Sequence, residues 1–438
     1  MSISVAIVGS GPSGFYTAGE LLRAVKGCQI DVIDRLPAPF GLVRYGIAPD
    51  HQSTKNVQRL FDKTARDTAV RYFGNVEIGK DVSLHELRAC YDAVVLAVGA
   101  PLDRPLGVKG EDKLGVYGSA AFVGWYNGHP DFRHLDPLLD CRAAAVIGNG
   151  NVALDIARLL VRTRAELEAS DMPDFAVDAI ARSPLTDVYV FGRRGPMDAK
   201  FTIGELREMG ELEDGVALVD AAQLPETLDG YSEEERRARA RNIEIIKAWV
   251  PNRPAAKRKR VHFAFYASPV EVLGDARVRG LRLERTRVEG QRAVGTGQFF
   301  EVECGFVAAA IGYRSPVIAG APFDEKQGLY INDDGRIGPG LYAVGWAMRG
   351  PTGVVGTNRA DGKTVSAHIA ADLKTASKPG RPAFQAKLAE RAVRVVDYAD
   401  WLKLEAAEVK NARPKAPRRK FVELEEVLRF LATAPSGA

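Results

Sequence analysis

Cysteine is scarce and scattered. Cys28, Cys90, Cys141 and Cys304 are the four in 438 residues. No two of them stand at the C-x-x-C or metal-ligand spacing that would hold an iron–sulfur cluster, form a redox-active dithiol or bind a metal, so none of these is expected. Isolated thiols in a reducing compartment fit better. Long apolar runs are also missing: none reaches the ~20 residues that span a bilayer. The first apolar strand begins almost at Met1, which leaves no room for a signal or transit peptide and sets the expectation of a cytoplasmic protein. Nor is one sign of charge in excess. Lys and Arg number 60 against 56 Asp and Glu, for a formal net charge of +4, which gives no ground to expect a nucleic-acid binder. Low-complexity sequence is absent. What remains, 46% hydrophobic and 26% charged, is an ordinary globular composition on a chain too long for one core, so two domains are expected.

The most informative stretch is Ser4–Tyr16, S-V-A-I-V-G-S-G-P-S-G-F-Y. A short apolar run leads into Gly9, Gly11 and Gly14, and a helical stripe of Ala18, Leu21, Leu22 and Val25 follows. In G-x-G-x-x-G placed between strand and helix, the first glycine permits the tight turn. The second lets the backbone approach a pyrophosphate, and the third lets helix and strand pack closely. The helix start then aims unpaired N–H groups at the phosphates. A second apolar run (Ile30, Val32, Ile33) ends in Asp34, about where a carboxylate holds ribose hydroxyls.

The motif recurs. Ala143–Leu160 reads A-A-A-V-I-G-N-G-N-V-A-L-D-I-A-R-L-L, with Gly148, Gly150 and Ala153 in the glycine positions. The next strand, Asp187–Phe191, ends in Gly192, Arg193 and Arg194, after a helical insertion over Arg164–Ser183. Paired guanidiniums at that strand end favour a 2′-phosphate, whereas Asp34 suits free hydroxyls and repels one. The first site is therefore expected to hold FAD or NAD, and the second NADP(H). A nicotinamide carries a hydride and a flavin converts it to single electrons, so two such sites on one chain point to a flavin-dependent oxidoreductase.

Elsewhere the chain reads as follows. Arg35–His51 is a Pro- and Gly-rich loop, unusually apolar, of the kind that lines a site. Strands are expected over Arg71–Ile78, Asp92–Gly99 and Phe306–Gly312. Helices are expected over Phe201–Met209 and Glu233–Trp249, up to about Leu373, near Ala389–Ala407 and near Val422–Leu431. Val261–Gly305 alternates polar and apolar residues and reads as an antiparallel meander.

These residues together resemble a known family. G-S-G-P-S-G-F-Y-T-A, P-F-G-L-V-R-Y-G-I-A-P-D-H, V-I-G-N-G-N-V-A-L-D-I-A-R, F-G-R-R-G-P, E-L-R-E-M and G-W-A-M-R-G-P-T-G-V-V-G-T-N-R are similar, in order, to adrenodoxin reductase and the bacterial ferredoxin–NADP reductases. The resemblance runs to about Lys363 and thins in the tail. It implies FAD contacts from Ser13, Asp34, Leu42 and Val82, with Trp346, Gly353, Val354 and Val355 along the flavin. It implies NADP contacts from Asn149, Gly150, Asn151, Val152, Arg193, Arg194 and Glu205, with Arg104 joining from the crossover. It places His51 and Glu208 near the flavin and nicotinamide in a catalytic role. Read alone, His51 is a polar-turn histidine, and Glu205 and Glu208 are a pair on one helix face of a kind commonly solvated.

The order of the motifs implies an α/β fold of two Rossmann-like dinucleotide-binding domains, parallel sheets with small antiparallel layers. The NADP domain (106–321) is inserted into a discontinuous FAD domain (1–105 and 322–438, the latter with a helical tail). The implied activity takes a hydride from NADPH and passes electrons singly to a ferredoxin-type iron–sulfur protein, with flavodoxin as an alternative acceptor. Candidate docking residues are Arg236, Arg237, Arg239 and Arg241 with Lys257, Arg258, Lys259 and Arg260, which read equally as a solvated basic face. The Arg413–Lys420 run is a rival. Other readings are a flavoprotein electron-input subunit, another NADPH-dependent FAD oxidoreductase, or a nucleotide-binding redox sensor without turnover.

Overall fold

The alternation of short apolar runs with helical stripes resolves into two six-stranded sheets. The computed structural model describes residues 2–227 and 232–433. The first sheet runs Arg336–Gly338, Leu341–Ala343, Ala93–Leu96, Ser4–Val8, Gln29–Ile33, Val70–Phe73. It is parallel throughout except at the Arg336–Gly338 edge. The second runs Val116–Gly118, Phe306–Ala309, Ala143–Ile147, Asp187–Phe191, Lys259–Ala264, Gly215–Val219 and is parallel throughout. Every residue of Ser4–Val8 and Ala93–Leu96 is buried, as strands covered by helices on both faces must be. The helices Pro12–Ala24 and Thr357–Asp372 pack so closely that a Cβ on Gly362 would lie 3.0 Å from the Thr17 nitrogen. That contact brings the C-terminal glycine-rich motif beside the N-terminal one.

Strand order decides where ligands go. In each sheet, the strand feeding a glycine fingerprint has neighbours whose connections depart in opposite directions, and the crevice at such a switch point is where open parallel sheets bind ligands. Ser4–Val8 lies between Gln29–Ile33 and Ala93–Leu96. Ala143–Ile147 lies between Asp187–Phe191 and Phe306–Ala309.

Several expectations need correction. The antiparallel layer is three strands, Ala267–Leu273, Gly280–Glu289 and Arg292–Glu303, and Val261–Ala264 instead belongs to the parallel sheet. Within Lys259–Ala264 the inward positions alternate, so Lys259 shares the buried side with Val261 and Phe263. Its ammonium reaches the Leu160 carbonyl at 3.2 Å. It is therefore a core residue and not a docking one. The strand expected to run to Ile78 stops at Phe73, because Gly74 pairs its backbone with Val396 in both directions. That pairing also splits the helix expected near Ala389–Ala407 into Arg381–Glu390 and Tyr398–Lys410.

Most of the Arg413–Lys420 run is engaged within the fold as well, with Lys415 left exposed. Arg413 and Arg419 bind Asp174, Arg418 binds Glu405, and Lys420 is buried on Asp171. The segment is a strap that ties the tail to the second sheet's helices.

Candidate functional site between two glycine cradles

Gly9 leaves the first strand at φ +114°, and a Cβ there would sit 2.3 Å from the Ala97 carbonyl oxygen. Gly148 occupies the same place in the second sheet, at φ +139° and 2.2 Å from the Ala310 carbonyl oxygen. Only glycine fits either corner. Beyond each corner the space is open. A Cβ on Gly11 would meet only the Gly41 Cα, at 3.9 Å, and one on Gly150 would meet nothing within 4 Å. The helices Pro12–Ala24 and Asn151–Val161 start there without a side-chain cap, so their first N–H groups face these cradles. Both cradles fit a dinucleotide pyrophosphate.

Around the first cradle, Asp34 is half-buried at the strand end. Its Oδ2 accepts from the Ser10 amide and hydroxyl (2.9 and 2.5 Å), and its Oδ1 accepts from the Leu36 amide. Phe40, packed among Phe15, Phe61 and Trp401, anchors the apolar loop. Leu42 stays largely exposed beside it, while Ser13 lies against Gly345. Val82 is wholly buried and pairs with Ile78 in a backbone bridge, its carbonyl accepting from Gly79. Trp346 donates Nε1–H to the Thr352 carbonyl at 3.0 Å, and its ring stacks near Tyr313. Gly353, at φ +80°, and the exposed Val354 continue that wall, with Val355 at the start of Thr357–Asp372.

Around the second cradle, Asn151 is locked by a reciprocal pair of hydrogen bonds to Thr202. Asn149 lies so near Gly192 that a Cβ there would overlap its amide. Val152 follows on the helix. Arg194 is held by Asp198 at 3.0 Å. Arg193 is exposed, and among the described residues its guanidinium binds no acceptor. Arg104 is committed differently. It gives hydrogen bonds to the carbonyls of Tyr313, Lys326 and Gln327, which takes three of its five donors and leaves one on each terminal nitrogen.

Between the cradles lies a cluster of charges drawn from both sheets. His51 Nε2 is 2.8 Å from Glu208 Oε2, and Nδ1 is 3.6 Å from Glu205 and 3.8 Å from Asp155. Arg158 and Arg162 close the far side on Asp50. Burial pushes Glu205 up, with the Asp155 charge adding to it, to about 7. Burial opposes the charged form of His51, but the bond to Glu208 carries it above the usual value. Glu208 is shifted down against its own burial by the same bond. Ligand atoms of His51, Glu205 and Glu208 lie within 4.8 Å of one another. A cation there would have to displace the Arg158 guanidinium, which already meets His51 Nε2 and Glu208; the trio is not assigned as metal ligands.

The profile of the pyridine nucleotide-disulphide oxidoreductases matches residues 3–181. Over 98% of its length the chain is 41% identical to the mitochondrial NADPH:adrenodoxin oxidoreductase of Rattus norvegicus, 91% of which is covered. The chain belongs to that family. It is also 38% identical, over 97% of its length and 98% of the relative's, to NADPH-ferredoxin reductase FprA of Mycobacterium tuberculosis. The solved structure of that FprA in complex with NADPH superposes with a TM-score of 0.92 at 37% identity, over 99% of this chain and 100% of that one.

In this member of the family, sequence reasoning missed Asp50, Asp155 and Arg158. The signal was present. Arg158 stands in phase with Leu154 and Val161 on the stripe its helix buries, and a charge on such a stripe needs partners.

The docking arginines stand differently from their sequence reading. Arg236, Arg237 and Arg241 are exposed on the helix Glu233–Lys247, Arg237 pairing with Glu233 one turn back. Arg239 donates to the Ala199 carbonyl, Lys257 to that of Leu212, Arg258 pairs with Asp214 and Arg260 with Asp187.

Proposed function

We propose that the protein draws a hydride from NADPH bound in the second cradle and releases the electrons singly to a small acidic iron–sulfur protein of the ferredoxin type. The observation that carries this is the pair of like-built glycine corners, Gly9 and Gly148, with opposite strand ends, Asp34 at one and Arg193 with Arg194 at the other. Relatives named for NADPH, adrenodoxin and ferredoxin support it. When bound in the first cradle, FAD supplies the conversion of a two-electron hydride into single electrons, which no side chain performs.

The chain's own residues then have definable tasks. Asp34 orients a ribose through its hydroxyls, and Arg193 binds the 2′-phosphate beside a pre-set Arg194. Asn149 and Asn151 shape the pyrophosphate cradle, and Trp346 with Gly353–Val355 walls the flavin. His51 and Glu208 handle a proton at Nε2 and Oε2. The balance requires that proton: NADPH and two oxidised ferredoxins yield NADP+, two reduced ferredoxins and one H+.

In the same reading the units are 1–105 with 322–438 for FAD and 106–321 for NADP. Docking falls to Arg236, Arg237, Arg241 and Arg258, the members of the two runs that stay exposed, whose charge would steer an acidic partner. A cytoplasmic location fits four free cysteines, and among the described residues no helix is long and apolar enough to cross a membrane. The test is anaerobic turnover with a [2Fe–2S] ferredoxin and, in parallel, a flavodoxin. Two ferredoxins reduced per NADPH, at a rate that falls with added salt, are expected. Oxidation of NADPH with no electrons appearing in either acceptor contradicts the reading, and transfer to flavodoxin alone transfers the partner assignment to it.

A further inference from the structure

Arg158 has no exposed surface, and a guanidinium cannot shed its charge, so the fold brings partners to it. They come from three segments. NH1 binds Asp50 of the apolar loop. NH2 binds Asp155 of its own helix at 2.7 Å and lies 2.7 Å from Nε2 of His51. Nε faces Glu208 Oε2 at 3.2 Å.

One nitrogen, His51 Nε2, therefore has two close neighbours that demand opposite things of it. Glu208 Oε2, at 2.8 Å, accepts only, so that contact requires Nε2–H. Arg158 NH2 donates only, so that contact requires a bare Nε2 lone pair. The two hydrogen bonds exclude each other, and the ring's proton decides between them. On the far side of the ring, Nδ1 faces Glu205 and Asp155, which suit an Nδ1–H in either state. The remaining charges act at one remove, Asp50 through Arg158 and Arg162 through Asp50, with Tyr126 and Tyr313 approaching Asp155.

We propose that Arg158 is a positioning residue for His51, holding the unprotonated Nε2 as an acceptor in competition with Glu208, which holds the protonated one. The pair forms a two-position switch: the one proton released per NADPH passes from Nε2 to Glu208 Oε2, which is partly open to solvent, and the bare Nε2 then turns to Arg158. The inference rests on the placement of His51 at the reaction site proposed above. The shifts agree in direction: Arg158 opposes a charged His51, and Glu208 favours it.

The test needs no turnover. In flavin-loaded protein with 15N-labelled histidine, the His51 signals are identified by their loss in His51→Gln. The neutral ring is expected to be the Nδ1–H tautomer, with Nε2 bare. A neutral ring with the proton on Nε2 overturns the proposal. Arg158→Met is expected to raise the His51 pKa by about 1–2 units, and Arg158→Lys to restore most of that shift. Wild-type titration of His51 in a folded Arg158→Met protein also overturns it. If Arg158→Met does not fold, the wild-type tautomer decides alone. A His51→Gln protein whose NADPH-driven flavin reduction keeps the wild-type pH profile would end the placement of His51, while tautomer and titration would still report on Arg158.

Discussion

Arg193 and Arg194 are neighbours in the chain and differ in what they touch. Arg194 is half-buried and bound to Asp198, whereas Arg193 is exposed and free of acceptors among the described residues. A charge-assisted hydrogen bond contributes about 1.5–3 kcal/mol. Arg193→Ala should thus cost roughly ten- to hundredfold in kcat/KM for NADPH, with NADH little changed. Arg194→Ala should cost less, since its charge is partly offset already. Steady-state kinetics with both nucleotides checks the order of the two. Glu205 makes a second residue-scale prediction. Its carboxyl is raised from the usual 4.5 to about 7 by burial and by Asp155, so the folded state holds a proton the unfolded chain has lost. The stability this contributes is full below about 4.5 and is lost as pH rises towards 7. Glu205→Gln lacks that loss, so the variant should gain on wild type across this window. Urea midpoints measured from pH 4 to 8 test the sign.

The elements legible in the sequence were those whose signal is local. Gly9 and Gly148 announce their corners because no other residue fits the backbone there, and Asp34 and Arg193 follow at strand ends that the apolar runs mark. Lys259 was misread because K-R-K-R looks like a solvated face, and only strand register shows that its first-and-third pattern points Lys259 inward. The tail was misread for a like reason. Its basic residues find acceptors on Asp171, Asp174 and Glu405, more than two hundred residues away or one helix back, and no local pattern carries such pairings. The strap has a measurable consequence. Lys55 and Lys420 share Asp171, all three side chains nearly or wholly buried, with Lys420 also bonded to the Arg44 and Asn127 carbonyls. Asp171→Asn strands two buried ammoniums and should cost about 3–5 kcal/mol. Lys420→Met leaves the Lys55–Asp171 pair intact and should cost clearly less. Thermal or urea unfolding of the two variants ranks them, and equal losses would contradict the shared-aspartate picture.

At the scale of the whole molecule, one design appears twice. Each parallel sheet ends in a glycine corner backed by the carbonyl of a neighbouring strand, and the loop 35–51 spans from one to the other. That loop carries Asp50 and His51 into the second sheet's helices, where Arg158, Glu205 and Glu208 meet them, so the charge cluster and the junction of the two halves are the same structure. Loss of the cluster should therefore disturb chemistry and docking of the halves together, whereas loss of the exposed Arg237 or Arg241 should affect only encounter with a partner. The most direct measurement is anaerobic stopped-flow mixing of the yellow, flavin-loaded protein with NADPH and, separately, with NADH. NADPH should bleach the flavin far faster than NADH does, and Arg193→Ala should narrow the gap. A purified protein that binds no flavin, or whose flavin is reduced equally well by both nucleotides, would contradict a pair of cradles tuned to different adenosines.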